Sequence, residues 1–203
     1  LFHFIKFLPI WLKKKLFLKK TIINELSKLN NKKFKKKIYF SSHHLSHIAS
    51  AYYPSPFNSS AILTIDGVGE WASTSIAIAE ENKIEIIKKI KFPHSIGLLY
   101  SAFTYYLGFK VNSGEYKVMG LAPYGNPIYS DLIKTHLIKI KEDGSFWLDM
   151  SYFNYCHDET MTSDKFHNLF ASTPRKSETE LNQKHFDIAA SIQLVVEELI
   201  IRI

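Results

Sequence analysis

Apolar runs separated by short polar turns dominate the middle of the chain and predict neighbouring strands. The first run, AILTID, is typical of a buried strand and ends in the carboxylate of Asp66. STSIAIA and KIEIIKKIKF follow, and the polar sequence EENK lies between them. Because short polar turns join consecutive strands as hairpins, residues 61–92 are predicted to form a three-stranded antiparallel meander.

Apolar residues at helical spacing predict the helices around this meander. Ser41 or Ser42 is a suitable N-cap for a helix over residues 43–52, which should end before Pro54. SIGLLYSAFTYYLG predicts an apolar helix that stops at Gly108. Helical character also marks EYKVMGL, IYSDLIKTHLIKI and NQKHFDIAASIQLVVEELIIRI, and EDGSFWLDM predicts a turn and a strand. This order of elements indicates an α/β or α+β domain with a mixed sheet.

An amphipathic pattern lies near the start of the chain, where FIKFLPIWLKKKLFLKKTIINEL alternates apolar residues with lysines at helical spacing. Such a helix either lies on a membrane surface or packs on its own domain, and we favour packing. We predict a helix over residues 10–29. Its buried side is predicted to comprise Leu12, Leu16, Ile23 and Leu26. Lysines interrupt the apolar run and no small-residue cleavage site follows it, so neither a signal peptide nor a membrane partner is expected.

The net charge of +7 is unevenly distributed along the 203 residues. Residues 1–37 hold 12 of the 26 basic residues and a single acid, Glu25, whereas the remaining chain is mildly acidic. The basic excess is thus separate from the candidate chemistry, and no nucleic acid partner is expected. Cys156 is the single cysteine, which excludes an intrachain disulfide and zinc sites built on cysteine pairs. A cytoplasmic location fits this cysteine usage.

Residues 41–50, SSHHLSHIAS, place three histidines within five positions. His43 and His47 share one face of the predicted helix, at the spacing by which two imidazoles ligate one ion. His44 lies about 100° away around the helix. Asp66 at the strand end is the natural carboxylate partner, and the set suits Fe(II), Zn or Mn. Because most histidine pairs at this spacing bind nothing, an imidazole-rich helix start is the alternative.

Residues 108–127, GFKVNSGEYKVMGLAPYGNP, are rich in glycine and polar side chains. Backbone amides freed by glycine can bind phosphate and a lysine can neutralise its charge, although the spacing is not that of a Walker A loop. The candidate substrate-binding or nucleotide-binding residues are Asn112, Ser113, Gly114, Glu115 and Lys117. The alternative is an ordinary loop that leads into the short helix EYKVMGL.

Long stretches carry a resemblance to a known family: HHLSHIASAYYPSPFNSSAILTIDGVGEWASTSIA, FPHSIGLLYSAFTYYLGFKVNSGEYKVMGLAPYG and MTSDKFHNLF. From about Pro9 to Ile203 the chain closely resembles the O-carbamoyltransferases that act on nodulation factors, cephamycins and aminoglycosides (NodU/CmcH type). The resemblance implies an actin-like ATPase (RNase H-like) fold, a mixed sheet with flanking helices shared with the tRNA threonylcarbamoyl-transferases. It also implies that His43, His47 and Asp66 bind a divalent iron.

The same resemblance implies a reaction and a domain organisation. A smaller C-terminal domain makes carbamoyl adenylate from carbamoyl phosphate and ATP, with Mg, and the larger domain passes the carbamoyl group to a hydroxyl of a sugar or natural product. Residues 1–203 are expected to be the central part of that larger N-terminal domain, a fragment without activity in isolation. Two alternatives stay open: a non-catalytic module of the actin-like fold that binds a nucleotide or a partner, and a tRNA threonylcarbamoyl-transferase.

Overall fold

The structure is a computed structural model that describes residues 8–9, 12, 16–29 and 31–203. The contacts divide the chain into two units, Leu1–Ser41 and Ser42–Ile203. In the first unit, helix α1 spans Leu18–Leu29, and none of its residues is buried. Within the described residues, no helix is both long enough and apolar enough to cross a membrane.

Helix α1 is shorter than predicted, and its predicted buried side is only partly present. Leu12 and Leu16 are 42% and 52% exposed, whereas Ile23 and Leu26 are half-buried. Leu16 precedes the first residue of α1, so helical spacing does not place it on the face of Ile23 and Leu26. The assignment of Leu12 and Leu16 to a buried face is therefore wrong. Some residues of the predicted helix, 13–15 among them, lie outside the described residues.

The second unit contains the predicted meander. Its strands are β1 Ser59–Gly69, β2 Ala72–Glu80 and β3 Lys83–Lys91. β2 is central and pairs antiparallel with both neighbours. The connections are short, and each contains a residue with positive φ, Glu70 at 60° and Glu81 at 51°. Such backbone suits tight hairpin turns, and the predicted antiparallel meander over residues 61–92 is confirmed.

The described strands do not form the predicted mixed sheet, because all of them pair antiparallel. A second sheet consists of β4 Ile138–Ile140 and β5 Phe146–Leu148. In both sheets the paired strands follow one another in sequence through short connections. A parallel pair needs a crossover of a dozen or more residues, so these strands pair antiparallel. The described chain is thus an α/β structure with small antiparallel sheets.

Helices flank the sheets of the second unit and mostly agree with the sequence pattern. They are α2 His43–Tyr52, α3 Ile96–Tyr106, α4 Glu115–Leu121, α5 Ser130–His136, α6 Asp164–Leu169 and α7 Gln183–Arg202. The helix predicted over residues 43–52 is confirmed. Gly108 follows α3 with φ +77°, as expected of a helix stop. Helix α5 ends at His136, so the prediction of one helix through IYSDLIKTHLIKI is wrong: Ile138 is buried and begins β4.

Two apolar clusters hold the second unit together. The larger surrounds α3 and α7 and includes Phe103 and Phe166, both fully buried. The smaller joins α2 to β1 and β2. It consists of Ile48, Tyr52, Ile62, Ala77 and Ala79. Because the smaller cluster presses α2 against the strand that carries Asp66, it brings the histidine helix to the aspartate.

Candidate metal centre

Helix α2 has two sides with different environments. His44, Ile48 and Tyr52, four residues apart along the helix, form its buried side. His43 and His47 lie one residue before the first two of these, and their side chains are 44% and 53% exposed. The buried side packs on the sheet, and the histidine pair therefore lies at the edge of the packed face, open to solvent.

The three side chains of the predicted centre converge. His43 Nε2 lies 2.5 Å from Asp66 Oδ2, and His47 Nε2 lies 3.7 Å from the same oxygen. The two Nε2 atoms are 2.9 Å apart. Each of the three residues offers a ligand atom within 4.8 Å of the other two. The predicted convergence of His43, His47 and Asp66 is confirmed, and the binding of a metal by them stays a prediction.

An irregularity in β1 aims the carboxylate of Asp66. The register with β2 shifts between Ile65 and Gly69, which places a bulge at the aspartate. Asp66 Oδ1 accepts a hydrogen bond from the Gly67 amide at 2.7 Å, and this leaves Oδ2 for the histidines. The Asp66 carbonyl accepts a hydrogen bond from Ser95 Oγ at 3.0 Å. The residue that caps α3 thus fixes the backbone from which the carboxylate projects.

Hydrogen bonds alone do not satisfy this cluster. An imidazole nitrogen has a single in-plane direction, along which it either donates one proton or accepts one. His43 Nε2 has two close neighbours, Asp66 Oδ2 and His47 Nε2. A hydrogen bond to one of these atoms leaves the other atom close to Nε2 with no hydrogen bond between them. A cation between the three atoms removes this conflict, because each atom then directs a lone pair at it.

The distances between the ligand atoms lie in or near the range expected around one shared ion. Metal bonds of about 2.0–2.2 Å place neighbouring ligand atoms roughly 2.8–3.6 Å apart at octahedral or tetrahedral angles. The two histidine nitrogens, 2.9 Å apart, fall in this range, and the 3.7 Å between His47 and Asp66 lies just beyond it. The 2.5 Å between His43 and Asp66 is shorter and has to open slightly. The donor set therefore fits a divalent ion of the Fe(II) or Zn type.

The end of β1 packs directly against the histidine rings. A Cβ atom at Gly69 would lie 2.3 Å from His43 Cδ2 and 2.8 Å from His44 Cδ2. Real Cβ atoms do not approach other heavy atoms so closely, so a side chain at this position would displace both rings. Glycine at position 69 is thus a requirement of the candidate centre.

His44 points away from the candidate ligands, as predicted. Its side chain is buried, and Nδ1 contacts the Ser75 hydroxyl and, at 2.9 Å, Thr64 Oγ1. Nε2 is buried near Ala72 without a hydrogen bond of normal geometry. Burial lowers the pKa of the His44 imidazole below its ordinary value. The ring is therefore neutral at pH 7 and belongs to the attachment of α2 to the sheet.

The predicted phosphate-binding loop is closed by one of its own side chains. Glu115, the first residue of α4, accepts hydrogen bonds from the Asn112 amide at 2.9 Å, the Gly114 amide at 3.1 Å and the Ser101 hydroxyl at 2.8 Å. Burial acts to raise the pKa of this carboxyl, but the hydrogen bonds outweigh burial and the pKa lies below its ordinary value. Two of the amides predicted to bind phosphate are therefore occupied by a carboxylate.

The remaining predicted residues of this loop present their side chains at the surface. Ser113 Oγ lies 3.5 Å from the Lys110 carbonyl, and Lys117 Nζ lies 5.6 Å from the centre of the Phe109 ring. Both Ser113 and Lys117 are exposed. A role in substrate or nucleotide binding for the loop stays a prediction.

Sequence reasoning missed the hydroxyl residues that hold the centre in place. Thr64 and Ser75 bind His44, and Ser95 binds the backbone of Asp66. A signal exists in the strand pattern, because small polar residues occupy inward-facing positions of β1 and β2, where alternation predicts apolar ones. Buried hydroxyls require partners, and the buried histidine of α2 is such a partner.

Two histidines on a helix and an aspartate at a strand bulge define an α/β domain with a two-histidine, one-carboxylate candidate metal centre. The family described as Carbamoyltransferase N-terminus matches residues 2–203. The chain belongs to this carbamoyltransferase family.

Individual relatives extend the comparison. The chain is 52% identical over 202 residues to an uncharacterized protein of Synechocystis, a match that covers 98% of this chain and 33% of that protein. It is 33% identical over 168 residues to the nodulation protein NolNO of Sinorhizobium fredii, covering 82% of this chain and 23% of the relative. The nodulation protein NolO of Bradyrhizobium diazoefficiens is 28% identical over 159 residues, 78% of this chain and 27% of that protein. The chain thus spans a third or less of the length of these curated relatives.

Proposed function

We propose that the whole protein is an ATP-dependent O-carbamoyltransferase. It moves a carbamoyl group from carbamoyl phosphate, via carbamoyl adenylate, to a hydroxyl of a sugar or other natural product. The observation that carries this proposal is the convergence of His43, His47 and Asp66 within 4.8 Å, in a chain of the carbamoyltransferase family. A module that only binds a partner has no need of two imidazoles and a carboxylate directed at one point.

The proposal includes a domain organisation. The complete N-terminal domain adopts an actin-like ATPase fold, and its partner is an adenylate-forming C-terminal domain of the same protein. The order of a three-stranded meander followed by a buried helix is compatible with this fold. The chain covers only 33% of the Synechocystis relative, so a protein of that length has room for both domains. We place the protein in the cytoplasm and assign it no nucleic acid partner.

His43, His47 and Asp66 are the residues that would hold a divalent cofactor, for which Fe(II) is our first choice. When bound, such an ion acts as a Lewis acid on an acyl or phosphoryl oxygen and contributes several kcal/mol in the transition state. Asp66 supplies the negative charge of the set, and the bond of its Oδ1 to the Gly67 amide leaves Oδ2 directed at the histidines. Because the histidine side chains are 44% and 53% exposed, a substrate can approach from the open side.

We further propose that residues 112–117 bind the acyl phosphate or the nucleotide, the latter together with Mg. Glu115 shapes this loop by holding the Asn112 and Gly114 amides. The exposed Ser113 hydroxyl and Lys117 ammonium are then the groups available to an anion. The acceptor hydroxyl binds near the metal centre, where the carbamoyl group is transferred.

The activity can be tested without knowledge of the natural acceptor. We expect the whole protein, given carbamoyl phosphate and Mg-ATP, to form AMP, pyrophosphate and inorganic phosphate when hydroxylamine is supplied as a surrogate nucleophile, and to form hydroxyurea in an amount equal to the AMP. Relative to a blank without protein, omission of either carbamoyl phosphate or ATP should abolish the enzymatic formation of AMP and of hydroxyurea. Binding of ATP with no AMP formed under any of these conditions would favour the non-catalytic module instead. Carbamoyl transfer that proceeds equally well without ATP would contradict the adenylate route.

A further inference from the structure

We propose that His44 is a positioning residue for the candidate metal centre. The contact of its Nδ1 with the paired hydroxyls of Thr64 and Ser75 fixes the rotation of α2 about its own axis, and this rotation directs His43 and His47 toward Asp66. His44 acts through its neighbours on the helix and is not itself a ligand. The inference rests on the proposed metal centre.

Side chains other than His44 also hold α2 on the sheet. Apart from His44, the buried side of the helix consists of Ile48 and Tyr52. Apolar packing is not directional, so an isoleucine in a cluster with alanines tolerates a small rotation of the helix. Hydrogen bonds are directional and weaken steeply when their angles change. His44 therefore supplies the directional contact at the end of α2 that carries the candidate ligands.

The contacts of His44, which anchor α2, are made with two strands. Thr64 of β1 and Ser75 of β2 are directly opposite one another in the sheet, and their hydroxyl oxygens are 2.7 Å apart. His44 Nδ1 contacts both hydroxyls, at 2.9 Å for Thr64. Thr64 also stands two residues before Asp66 on β1. These contacts thus position α2 relative to β1, the strand that carries the third candidate ligand, Asp66.

The geometry of a helix shows how sensitive the centre is to rotation. Side-chain tips lie about 5–6 Å from the helix axis, so a rotation of about 10° moves them by about 1 Å. Metal–ligand distances tolerate deviations of only about 0.2 Å. His43 and His47 are on one helix and move together, so any rotation changes both of their distances to Asp66, now 2.5 Å and 3.7 Å.

The far end of α2 has an anchor of its own. The Tyr52 hydroxyl lies 2.8 Å from the Asn58 carbonyl and 3.0 Å from the Glu81 carbonyl. Tyr52 stands more than two helical turns from the first candidate ligand, so its bond fixes the far end and leaves the near end to His44. The His44 ring also leaves no room for a side chain at position 69, where an added Cβ would lie 2.8 Å from it. The ring is therefore held between the strand end and the two hydroxyls.

The test compares variants of His44 in the whole protein by Co(II) binding. His44→Asn can place a hydrogen-bonding group near the position of Nδ1, whereas His44→Phe keeps a ring of similar size without any hydrogen-bonding group. We expect His44→Phe to weaken Co(II) binding by about 10–100-fold and to change the visible absorption spectrum of the bound ion. His44→Asn should bind Co(II) within about threefold of the wild type, with the wild-type spectrum.

Ile48→Val is the matched control for a purely structural effect, because it lies on the same buried side of α2 and has no hydrogen bond to lose. It should lower the unfolding midpoint of the metal-free protein and leave Co(II) affinity within about twofold. An Ile48→Val variant that binds Co(II) as weakly as His44→Phe would overturn the positioning role and leave His44 a role in stability alone. Co(II) binding by His44→Phe at the wild-type affinity would overturn it too, as would equal losses of Co(II) affinity in His44→Phe and His44→Asn.

If His44→Phe does not fold, Ser75→Ala carries the test, because it removes one hydroxyl and leaves the ring in place. We expect this variant to weaken Co(II) binding by about tenfold, and unchanged affinity would overturn the inference. His47→Ala separates this inference from the proposed metal centre. If His47→Ala binds Co(II) normally, the metal centre itself is wrong. If His47→Ala loses Co(II) and the His44 and Ser75 variants do not, only the positioning role fails.

Discussion

Replacing His47 with alanine in the whole protein should lower the rate of carbamoyl transfer by at least about a hundredfold. The variant leaves His43 and Asp66 as the only pair of the set, 2.5 Å apart and able to form a simple hydrogen bond without a metal. Loss of Lewis-acid stabilisation of several kcal/mol corresponds to two or more powers of ten in rate. The measurement is kcat/KM for carbamoyl phosphate with hydroxylamine as nucleophile.

His157→Ala is the matched control for this prediction. His157 is exposed in a turn and lies outside the converging cluster, so its removal should leave the rate unchanged. Far-UV circular dichroism of both variants should match the wild type, because His47 is half exposed and packs little. A His47→Ala enzyme with wild-type kcat/KM would show that the histidine pair takes no part in the reaction.

Replacing Phe166 with alanine should reduce the free energy of unfolding by about 3–5 kcal/mol. Phe166 on α6 is fully buried, and its ring centre lies 5.2 Å from that of Phe103 and 5.1 Å from those of Tyr106 and Phe170. Truncation removes the transfer free energy of a whole ring and leaves a cavity that these neighbours fill only partly. Urea unfolding of the wild type and the variant, monitored by circular dichroism, gives the difference in the free energy of unfolding.

Phe57→Ala provides the comparison for the core variant. Phe57 is 64% exposed, so its truncation should change the free energy of unfolding by no more than about 0.5 kcal/mol. A Phe166 variant within about 1 kcal/mol of Phe57→Ala would mean that the aromatic cluster around α3 is not the centre of the core.

The parts of the fold set by local pattern follow from the sequence. The strands over residues 61–92 alternate and are separated by polar turns, and they pair as predicted. The histidine helix is also predictable, because a serine precedes it and a proline follows it closely. The strands and the helix depend on neighbours in sequence. The convergence of His43, His47 and Asp66 combines the spacing of a helical turn, a carboxylate at a strand end and the packing of α2 on β1.

Features that depend on distant residues were not predictable in the same way. The helical pattern of IYSDLIKTHLIKI continues past His136, but Ile138–Ile140 pairs with Phe146–Leu148, and this pairing ends the helix. The buried side expected at Leu12 and Leu16 fails because both side chains are exposed, and Leu16 also precedes the first residue of α1. Periodicity shows which residues are apolar and does not show what covers them.

The two candidate sites differ in how far their chemistry could be anticipated. For the histidine centre, the residue types and their spacing define the same cluster that the structure shows. For the loop, glycine content indicates free amides, but the Glu115 carboxylate takes the amides of Asn112 and Gly114. An acidic side chain next to a glycine-rich turn competes with an external anion for the backbone amides. Sequence alone does not show which of them binds the amides.

The central claim is that His43, His47 and Asp66 bind one divalent metal ion. X-ray absorption at the metal edge of the purified whole protein tests it most directly, with the His43→Ala variant measured alongside. The claim predicts one equivalent of metal, nitrogen and oxygen scatterers at about 2.0–2.2 Å, and an imidazole multiple-scattering signal that falls by half or more in His43→Ala. A protein without stoichiometric metal, or a metal whose imidazole signal is unchanged in His43→Ala, would contradict the claim.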